Sequence, residues 1–170
     1  MIDLKSFITG DYRTPFYARK SFHLGSAIEK ATLEICGLGQ FICYINGKKV
    51  GDHEIDPGWT DYRKYAQYVE FDVASYLHEG ENVLAAEIGN GWFLKEDTHY
   101  TFGFPKFMPP NPNPYREFCD SLVLAAKLLI TCADGEIIVI TTDEDFRLAK
   151  SDTVISNIYG SETYDARLRQ

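Results

Sequence analysis

The sequence predicts an all-β fold, an antiparallel β-sandwich with a jelly-roll arrangement. Three observations lead to this prediction. Short segments of alternating apolar and polar residues recur along the chain, and turn dipeptides separate them. Aromatic residues make up 14% of the chain, and such side chains suit a pleated, half-buried surface. A chain of 170 residues can bury its own core, so we predict a single domain over residues 1–170.

The first predicted strands surround an Asn-Gly turn. Residues 31–36 alternate between apolar and polar side chains until the glycine-rich stretch 37–39 interrupts the pattern. Residues 40–45 and 48–50 then flank Asn46-Gly47. Because both central positions of a tight hairpin turn need positive φ angles, this dipeptide predicts a β-hairpin.

The remaining predicted strands rest on the same signals. Residues 74–78 are predicted to form one helical turn, and Asp134-Gly135 predicts a second hairpin. The predicted strands cover residues 68–73, 82–89, 122–131, 136–142, 146–149 and 156–159.

Residues 98–117 depart from the strand pattern. Five prolines fall there together with several aromatic residues. Proline cannot donate a hydrogen bond to a sheet, so this stretch is not a central strand. We predict a long loop folded over the sandwich, of a length that is usually functional or disordered.

The charge and the termini argue against several classes of protein. The net charge is −8 and no basic face is apparent, which disfavours nucleic-acid binding. No apolar run approaches the length of a membrane-spanning helix, so no membrane partner is predicted. The N-terminus lacks the basic start and apolar run of a signal peptide, so we expect a cytoplasmic protein.

The cysteines and histidines predict no metal site, and the sequence as a whole predicts no cofactor. The cysteines are Cys36, Cys43, Cys119 and Cys132, and their spacing matches no zinc pattern. Cys36 and Cys43 lie in apolar segments and are predicted to be buried free thiols, although the sequence leaves a disulfide open. The histidines, at 23, 53, 78 and 99, are scattered.

Candidate carboxylates for catalysis have simpler explanations. Asp143-Glu144-Asp145 follows a predicted strand and is interpreted as a solvated turn. Glu96-Asp97 lies near aromatic residues and is either loop charge or a contact to sugar hydroxyls. Glu162 and Asp165 are expected to fix a turn by accepting backbone N–H bonds. No nucleophile-elbow sequence occurs, so Ser-His-Asp catalysis is not predicted.

Several stretches resemble one family. The segment Tyr-Ile-Asn-Gly-Lys-Lys-Val-Gly at 44–51 resembles the hairpin of galactose-binding-like sandwiches. Asp-Pro-Gly-Trp-Thr-Asp-Tyr at 56–62, Gly-Glu-Asn at 80–82 and Gly-Asn-Gly-Trp-Phe at 89–93 are similar to the N-terminal domain of bacterial α-L-rhamnosidases, glycoside hydrolase family 78. The closing segment 159–167 is similar too, so the resemblance covers about residues 16–168.

The resemblance implies a galactose-binding-like jelly roll without catalytic residues of its own. In the family, this domain precedes further β-domains and an (α/α)6 barrel, in which terminal α-L-rhamnose is hydrolysed with inversion. The barrel and its carboxylates have no counterpart in this sequence. We therefore expect the chain alone to be inactive and its partner to be the catalytic barrel. Such sandwiches sometimes hold a structural calcium, which the sequence leaves open.

Aromatic residues in the predicted turns are the candidates for contact with a ligand or another domain. The candidates are Trp59, Tyr62, Tyr65, Trp92, Asp97 and Tyr100. They would serve either an interdomain role or the binding of a rhamnose-containing carbohydrate in a stand-alone module. A third interpretation is the sugar-binding domain of a β-galactosidase-like or β-glucuronidase-like enzyme, which the sequence at 56–62 disfavours.

Overall fold

The computed structural model describes residues 2–3, 6–10, 14–91, 93, 121–157 and 161–169, and nearly all of its regular structure is β-strand. The strands are β1 (Phe16–Leu24), β2 (Ile28–Leu38), β3 (Gln40–Ile45), β4 (Lys48–Lys49), β5 (Val69–Asp72), β6 (Gly80–Gly89), β7 (Val123–Cys132), β8 (Ile137–Thr141), β9 (Arg147–Lys150), β10 (Thr153–Asn157) and β11 (Ser161–Tyr164). Short 3-10 turns occur at Ala74–Tyr76 and Ala166–Leu168. Within these ranges, no helix is long and apolar enough to cross a bilayer.

The strands form two main antiparallel sheets and a small ribbon. The order in the five-stranded sheet is β4-β3-β6-β1-β9, and in the four-stranded sheet it is β5-β2-β7-β8. Strands β10 and β11 pair separately. The predicted β-sandwich is thus confirmed, since the inward faces of the two main sheets share one core.

The core follows from the alternation of residues along each strand. Ala31, Leu33 and Ile35 of β2 are buried, as their alternation predicts. They belong to one apolar cluster with residues of the facing sheet, such as Phe16 and Ile88. Removing this apolar surface from water is the main stabilising contribution to the fold.

Both predicted hairpins are confirmed. Asn46 and Gly47 have φ angles of 52° and 76°, and they connect β3 to β4. Gly135, with a φ of 88°, lies in the connection between β7 and β8. The predicted helical turn near residue 75 is the 3-10 turn Ala74–Tyr76.

The structure corrects two sequence-based expectations. Strand β1 was not predicted. The interruption at 37–39 shrinks to Gly39, since β2 continues to Leu38. A Cβ atom at Gly39 would lie 2.1 Å from the carbonyl oxygen of Asn90, so only glycine fits this close backbone approach. The loop predicted at 98–117 lies outside the described residues.

Two asparagines, the fully buried Asn82 and the half-buried Asn46, fix the β3–β4 hairpin to β6. The Asn82 side chain is fully buried and accepts hydrogen bonds from the His78 N–H (3.1 Å) and from Asn46 Nδ2 (2.9 Å). Its own Nδ2 donates to the carbonyls of His78 and Gly80. Asn46 Oδ1 accepts from the Val83 N–H at 2.9 Å. These hydrogen bonds satisfy the buried amide of Asn82.

A second polar cluster ties the end of the chain to its first strand. The Tyr17 hydroxyl on β1 donates a hydrogen bond to buried Asp152, which also bonds to the hydroxyl of Tyr164 on β11. The carbonyl of Asp152 accepts from the Asp165 N–H at 2.8 Å. Burial and the Asp152 hydrogen bond raise the pKa of Tyr17 to about 12. The Tyr17 hydrogen bond, in turn, lowers the pKa of Asp152.

A candidate interaction surface on the 51–68 segment

The connection from β4 to β5, which we call the 51–68 segment, is anchored at several points. The Phe41 N–H donates to the Asp56 carbonyl at 2.8 Å, and Pro57 is buried against the sandwich. Buried Thr60 donates its hydroxyl to the Tyr65 carbonyl at 2.8 Å. The segment is therefore held in place although most of its residues face solvent.

Large apolar side chains project from this anchored segment. Trp59 exposes 57% of its surface, directly after Gly58. Ile55, Tyr65 and Tyr68 are also exposed. Large exposed aromatic groups grouped on one segment are typical of a surface that contacts a partner.

A carboxylate organises the turn that follows Trp59. Asp61 accepts hydrogen bonds from Arg63 Nε (2.9 Å), Arg63 Nη2 (3.1 Å) and the Arg63 N–H (3.2 Å). Its backbone carbonyl accepts from the N–H groups of Lys64 and Tyr65. The hydrogen bonds from the Arg63 side chain lower the pKa of Asp61 to about 2, so this carboxyl is ionised at neutral pH.

The structure separates the predicted site residues. Trp59 is exposed, whereas Tyr62 is half-buried and packs edge-on against Phe93 with ring centroids 5.1 Å apart. This packing suits Tyr62 to holding the segment rather than to stacking on a ligand. Trp92, Asp97 and Tyr100 lie outside the described residues.

Two exposed residues of the surface, Ile55 and Tyr68, were not among the predicted candidates. Tyr68 begins the predicted strand 68–73, and the alternation of residues alone does not say which face of that strand is exposed to solvent. One sequence signal points to the exposure of Ile55: it lies between the hairpin and Pro57 in a stretch of mostly polar residues.

The other candidate carboxylates have structural roles in the described part of the chain. Asp165 accepts from the Arg167 N–H (3.1 Å) and from two nitrogens of the Arg167 side chain, as the turn-fixing interpretation predicts. Asp143 and Asp145 bind the Lys20 ammonium at 2.5 Å and 3.4 Å. These carboxylates are engaged in ion pairs at the surface.

One group of metal-ligand atoms converges within the described ranges. The Cys132 thiol and the carboxylates of Asp134 and Glu136 lie within 4.8 Å of one another. Asp134 Oδ1, however, already accepts from the Glu136 N–H at 3.0 Å. Because an Asp in a turn commonly accepts hydrogen bonds from the turn's own backbone, this group does not by itself define a metal centre.

One protein-family model matches most of the chain. The model of the alpha-L-rhamnosidase N-terminal domain matches residues 26–170. The chain belongs to this family. Membership in the rhamnosidase N-terminal domain family favours the rhamnosidase interpretation over the β-galactosidase-like one.

Individual relatives agree with this assignment of the rhamnosidase N-terminal domain. An alpha-L-rhamnosidase of Formosa agariphila is 34% identical over 89% of the chain, which corresponds to 15% of that relative. The crystal structure of native rhamnosidase from Aspergillus terreus has a TM-score of 0.80 at 31% identity. The match covers 96% of the chain described above and 18% of the Aspergillus terreus protein.

A rhamnosidase from Streptomyces avermitilis, solved in complex with L-rhamnose, is also similar. Its TM-score is 0.76 at 33% identity, with 91% of the chain and 14% of that protein covered. The chain therefore spans about one-seventh of the length of these two relatives.

Proposed function

We propose that the chain is a non-catalytic accessory domain of an α-L-rhamnosidase that hydrolyses terminal α-L-rhamnosides. The 51–68 segment would pack against the catalytic part of the longer protein and shape the entrance for substrate. The observation that carries this proposal is the exposure of Trp59 and its apolar neighbours on an anchored segment. Solvent-exposed apolar groups of this size gain stability by contacting another surface.

Family membership supports a role inside a rhamnosidase, and the pKa shifts of the carboxyl groups support a non-catalytic role. Inverting glycosidases need two carboxyl groups about 6.5–9.5 Å apart, one of which has a raised pKa. The carboxyl groups whose pKa shifts in the described residues, Asp61, Asp134, Asp152 and Asp165, all have lowered values. A lowered pKa makes a carboxyl group a poor general acid.

The activity of the isolated chain tests the first part of the proposal. With p-nitrophenyl α-L-rhamnopyranoside as substrate, we expect release of nitrophenol at the rate of buffer alone. Release at an enzyme-like rate by the purified chain, lost with the protein on immunodepletion, would contradict the accessory role.

The effect of Trp59→Ala in two contexts tests the packing role. In the isolated chain, the substitution removes an exposed side chain, and we expect a stability change within about 0.5 kcal/mol. In a full-length rhamnosidase carrying this domain, we expect the unfolding temperature of the domain to fall by about 3 °C, because an interdomain contact is lost. His23→Ala, a change at an exposed site on β1, serves as the control in both proteins.

Carbohydrate binding is the second candidate function. An exposed tryptophan on a loop can stack on the apolar face of a sugar ring, and a relative at 33% identity was solved with L-rhamnose. A titration of the isotopically labelled chain with L-rhamnose distinguishes the two, using Trp59→Phe to assign the indole signals. Saturable shifts of the Trp59 indole favour a binding module. Unchanged signals at high millimolar sugar favour the interdomain role.

A further inference from the structure

Within the part of the chain that the structure describes, strand β8 forms an edge of the four-stranded sheet that no further strand covers. It pairs only with β7 among the described residues, and β5 forms the opposite edge. Its sequence, Ile-Ile-Val-Ile-Thr, is entirely β-branched and contains neither charge nor proline. The β7–β8 register also runs without a bulge. Natural sheets usually protect edges with such features, and their absence makes this edge suited to an added strand.

The backbone of β8 presents hydrogen-bonding groups to this edge. The Cys132 N–H donates to the Glu136 carbonyl at 2.8 Å, and the Thr142 N–H donates to the Ala126 carbonyl at 3.0 Å. Even-numbered residues thus direct their peptide groups towards β7. Because peptide groups alternate along an antiparallel strand, Ile137, Val139 and Thr141 direct theirs to the open edge.

An apolar strip runs along the outer face beside this edge. Ile137 exposes 66% of its surface and Val139 exposes 51%. Leu129, also exposed, lies directly opposite Val139 in the register of β7 and β8. The outward side chains of an added strand would lie next to Val139 and continue this strip, and such cross-strand apolar pairs stabilise a sheet.

Both ends of β8 are acidic. Asp134 and Glu136 precede the strand, and residues 143–145, Asp-Glu-Asp, follow it. Lys20 reaches Asp143 at 2.5 Å and Asp145 at 3.4 Å, which leaves the charge of Glu144 uncompensated by that lysine. An added strand therefore meets an apolar centre between two negatively charged ends.

This charge pattern distinguishes between possible occupants. Two copies of the chain related by a two-fold axis would pair their β8 strands antiparallel. A pairing centred on Val139 would bring the turn that holds Asp134 in one copy towards the turn that holds Glu144 in the second copy, and like charges at close range repel each other. A segment with basic residues at both ends would instead be attracted to the acidic residues at the two ends of β8.

We propose that the β8 edge binds, by strand addition, an extended segment of another polypeptide that has alternating apolar residues in its centre and Lys or Arg at both ends. The backbone of Ile137, Val139 and Thr141 would form the new ladder. The basic ends would lie near Asp134, Glu136 and Glu144. This surface is distinct from the 51–68 segment, and the proposal does not depend on the accessory role.

A peptide titration tests the proposal. The probe is Lys-Lys-Val-Thr-Val-Thr-Val-Lys-Lys, and the control has Glu in place of each Lys. With the labelled chain, we expect saturable amide shifts at residues 137–141 for the Lys peptide, weakened by added salt, and binding of the Glu peptide that is about ten-fold weaker or more. Equal binding of both peptides, or no shift at β8 with either, would overturn the proposal.

Two substitutions keep the test specific to the strand edge. Val139→Pro removes an edge-facing N–H without touching the ladder to β7, so the chain should fold and lose binding of the Lys peptide. If the proline variant fails to fold, Val139→Lys replaces it in the test. This variant retains the N–H but adds a positive charge, and it should weaken the binding of the Lys peptide about ten-fold. Ile55→Lys, on the 51–68 segment, is the matched control and should bind as the unchanged chain does.

Sedimentation of the chain without peptide provides the remaining outcome. A monomer at all concentrations agrees with the proposal. A concentration-dependent dimer that Val139→Lys abolishes would show that a second copy occupies the edge, and would overturn the assignment of a basic partner.

Discussion

At the scale of single residues, burial sets the reactivity of the cysteines. Burial raises the pKa of Cys36 to about 11 and that of Cys43 to about 12, and Cys132 is fully buried. Because the thiolate is the nucleophile, we expect these thiols to react with Ellman's reagent about 100-fold more slowly in the folded chain than in denaturant. The measurement uses Cys119→Ser, which leaves only these three cysteines. Reaction of any of them within the mixing time of the folded protein would contradict this expectation.

The cysteines also show which residue properties are predictable. Cys36 and Cys43 lie in apolar strand segments, so their burial as free thiols follows from local sequence, and the structure confirms it. Trp59 and Tyr62 lie in one motif, yet one ring is exposed and the other packs on Phe93. That difference depends on a contact with a residue distant in sequence, which the motif does not encode.

At the scale of elements, the Asn46-Gly47 turn makes a direct prediction about stability. Gly47 has a φ of 76°, and no atom lies within 4 Å of where its Cβ would be. Gly47→Ala therefore tests backbone strain without a steric clash, and we expect it to lower the free energy of unfolding by about 1–2 kcal/mol. Urea denaturation of the purified chain measures the change.

Gly25 is the matched control for this turn. It also has free space around its Cβ position, but its φ lies outside the left-handed region. Gly25→Ala is expected to leave the stability unchanged or to raise it by about 0.5 kcal/mol, because alanine restricts the unfolded chain. Equal losses for both substitutions would show that the positive φ of Gly47 is not the cause.

The difference between the predicted hairpins and the unpredicted β1 has a physical reason. A hairpin turn is encoded by adjacent residues, whereas β1 is recognised by its alternation over Phe16–Leu24. Lys20 interrupts the inward-facing row of Phe16, Ala18 and Phe22. The structure accommodates Lys20 because its ammonium reaches Asp143 and lies 5.8 Å from the Phe146 ring centroid. Those partners are far away in sequence, so the pattern of β1 alone is irregular.

At the scale of the whole molecule, the sandwich joins segments from opposite ends of the chain. Ala31 of β2 lies opposite Ile130 of β7, and Phe16 of β1 lies opposite both Ile88 and Lys150. The fold class follows from the strand patterns and turns, and the resemblance to the rhamnosidase family adds that the sandwich is a galactose-binding-like jelly roll. The pairing order does not follow from them, because each pattern specifies which face is apolar but not which strand lies beside it.

The cluster of Tyr17, Asp152 and Tyr164 predicts how stability depends on pH. The folded-state pKa of Asp152 is lowered from 3.8, so its contribution is present above that value and is lost as the pH falls through the lowered pKa. The folded-state pKa of Tyr17 is raised from 10.0 to about 12, so its contribution is complete below pH 10 and is lost as the pH rises towards 12. We therefore expect the attachment of the C-terminal ribbon to be weakened at both extremes.

Tyr17→Phe isolates this effect from all other titrating groups. The substitution removes the hydroxyl that donates to Asp152 and leaves the ring in place. The difference in unfolding free energy between the unchanged chain and the variant should be largest near neutral pH. It should shrink below pH 3.8, where Asp152 of the unfolded chain binds a proton before Asp152 of the folded chain does, and above pH 10, where unfolding exposes a tyrosine that loses its proton. Tyr68→Phe, at an exposed ring, should show no such profile. Urea midpoints at a series of pH values measure both differences, and a constant difference for Tyr17→Phe would mean that the hydrogen bond to Asp152 does not control the titration.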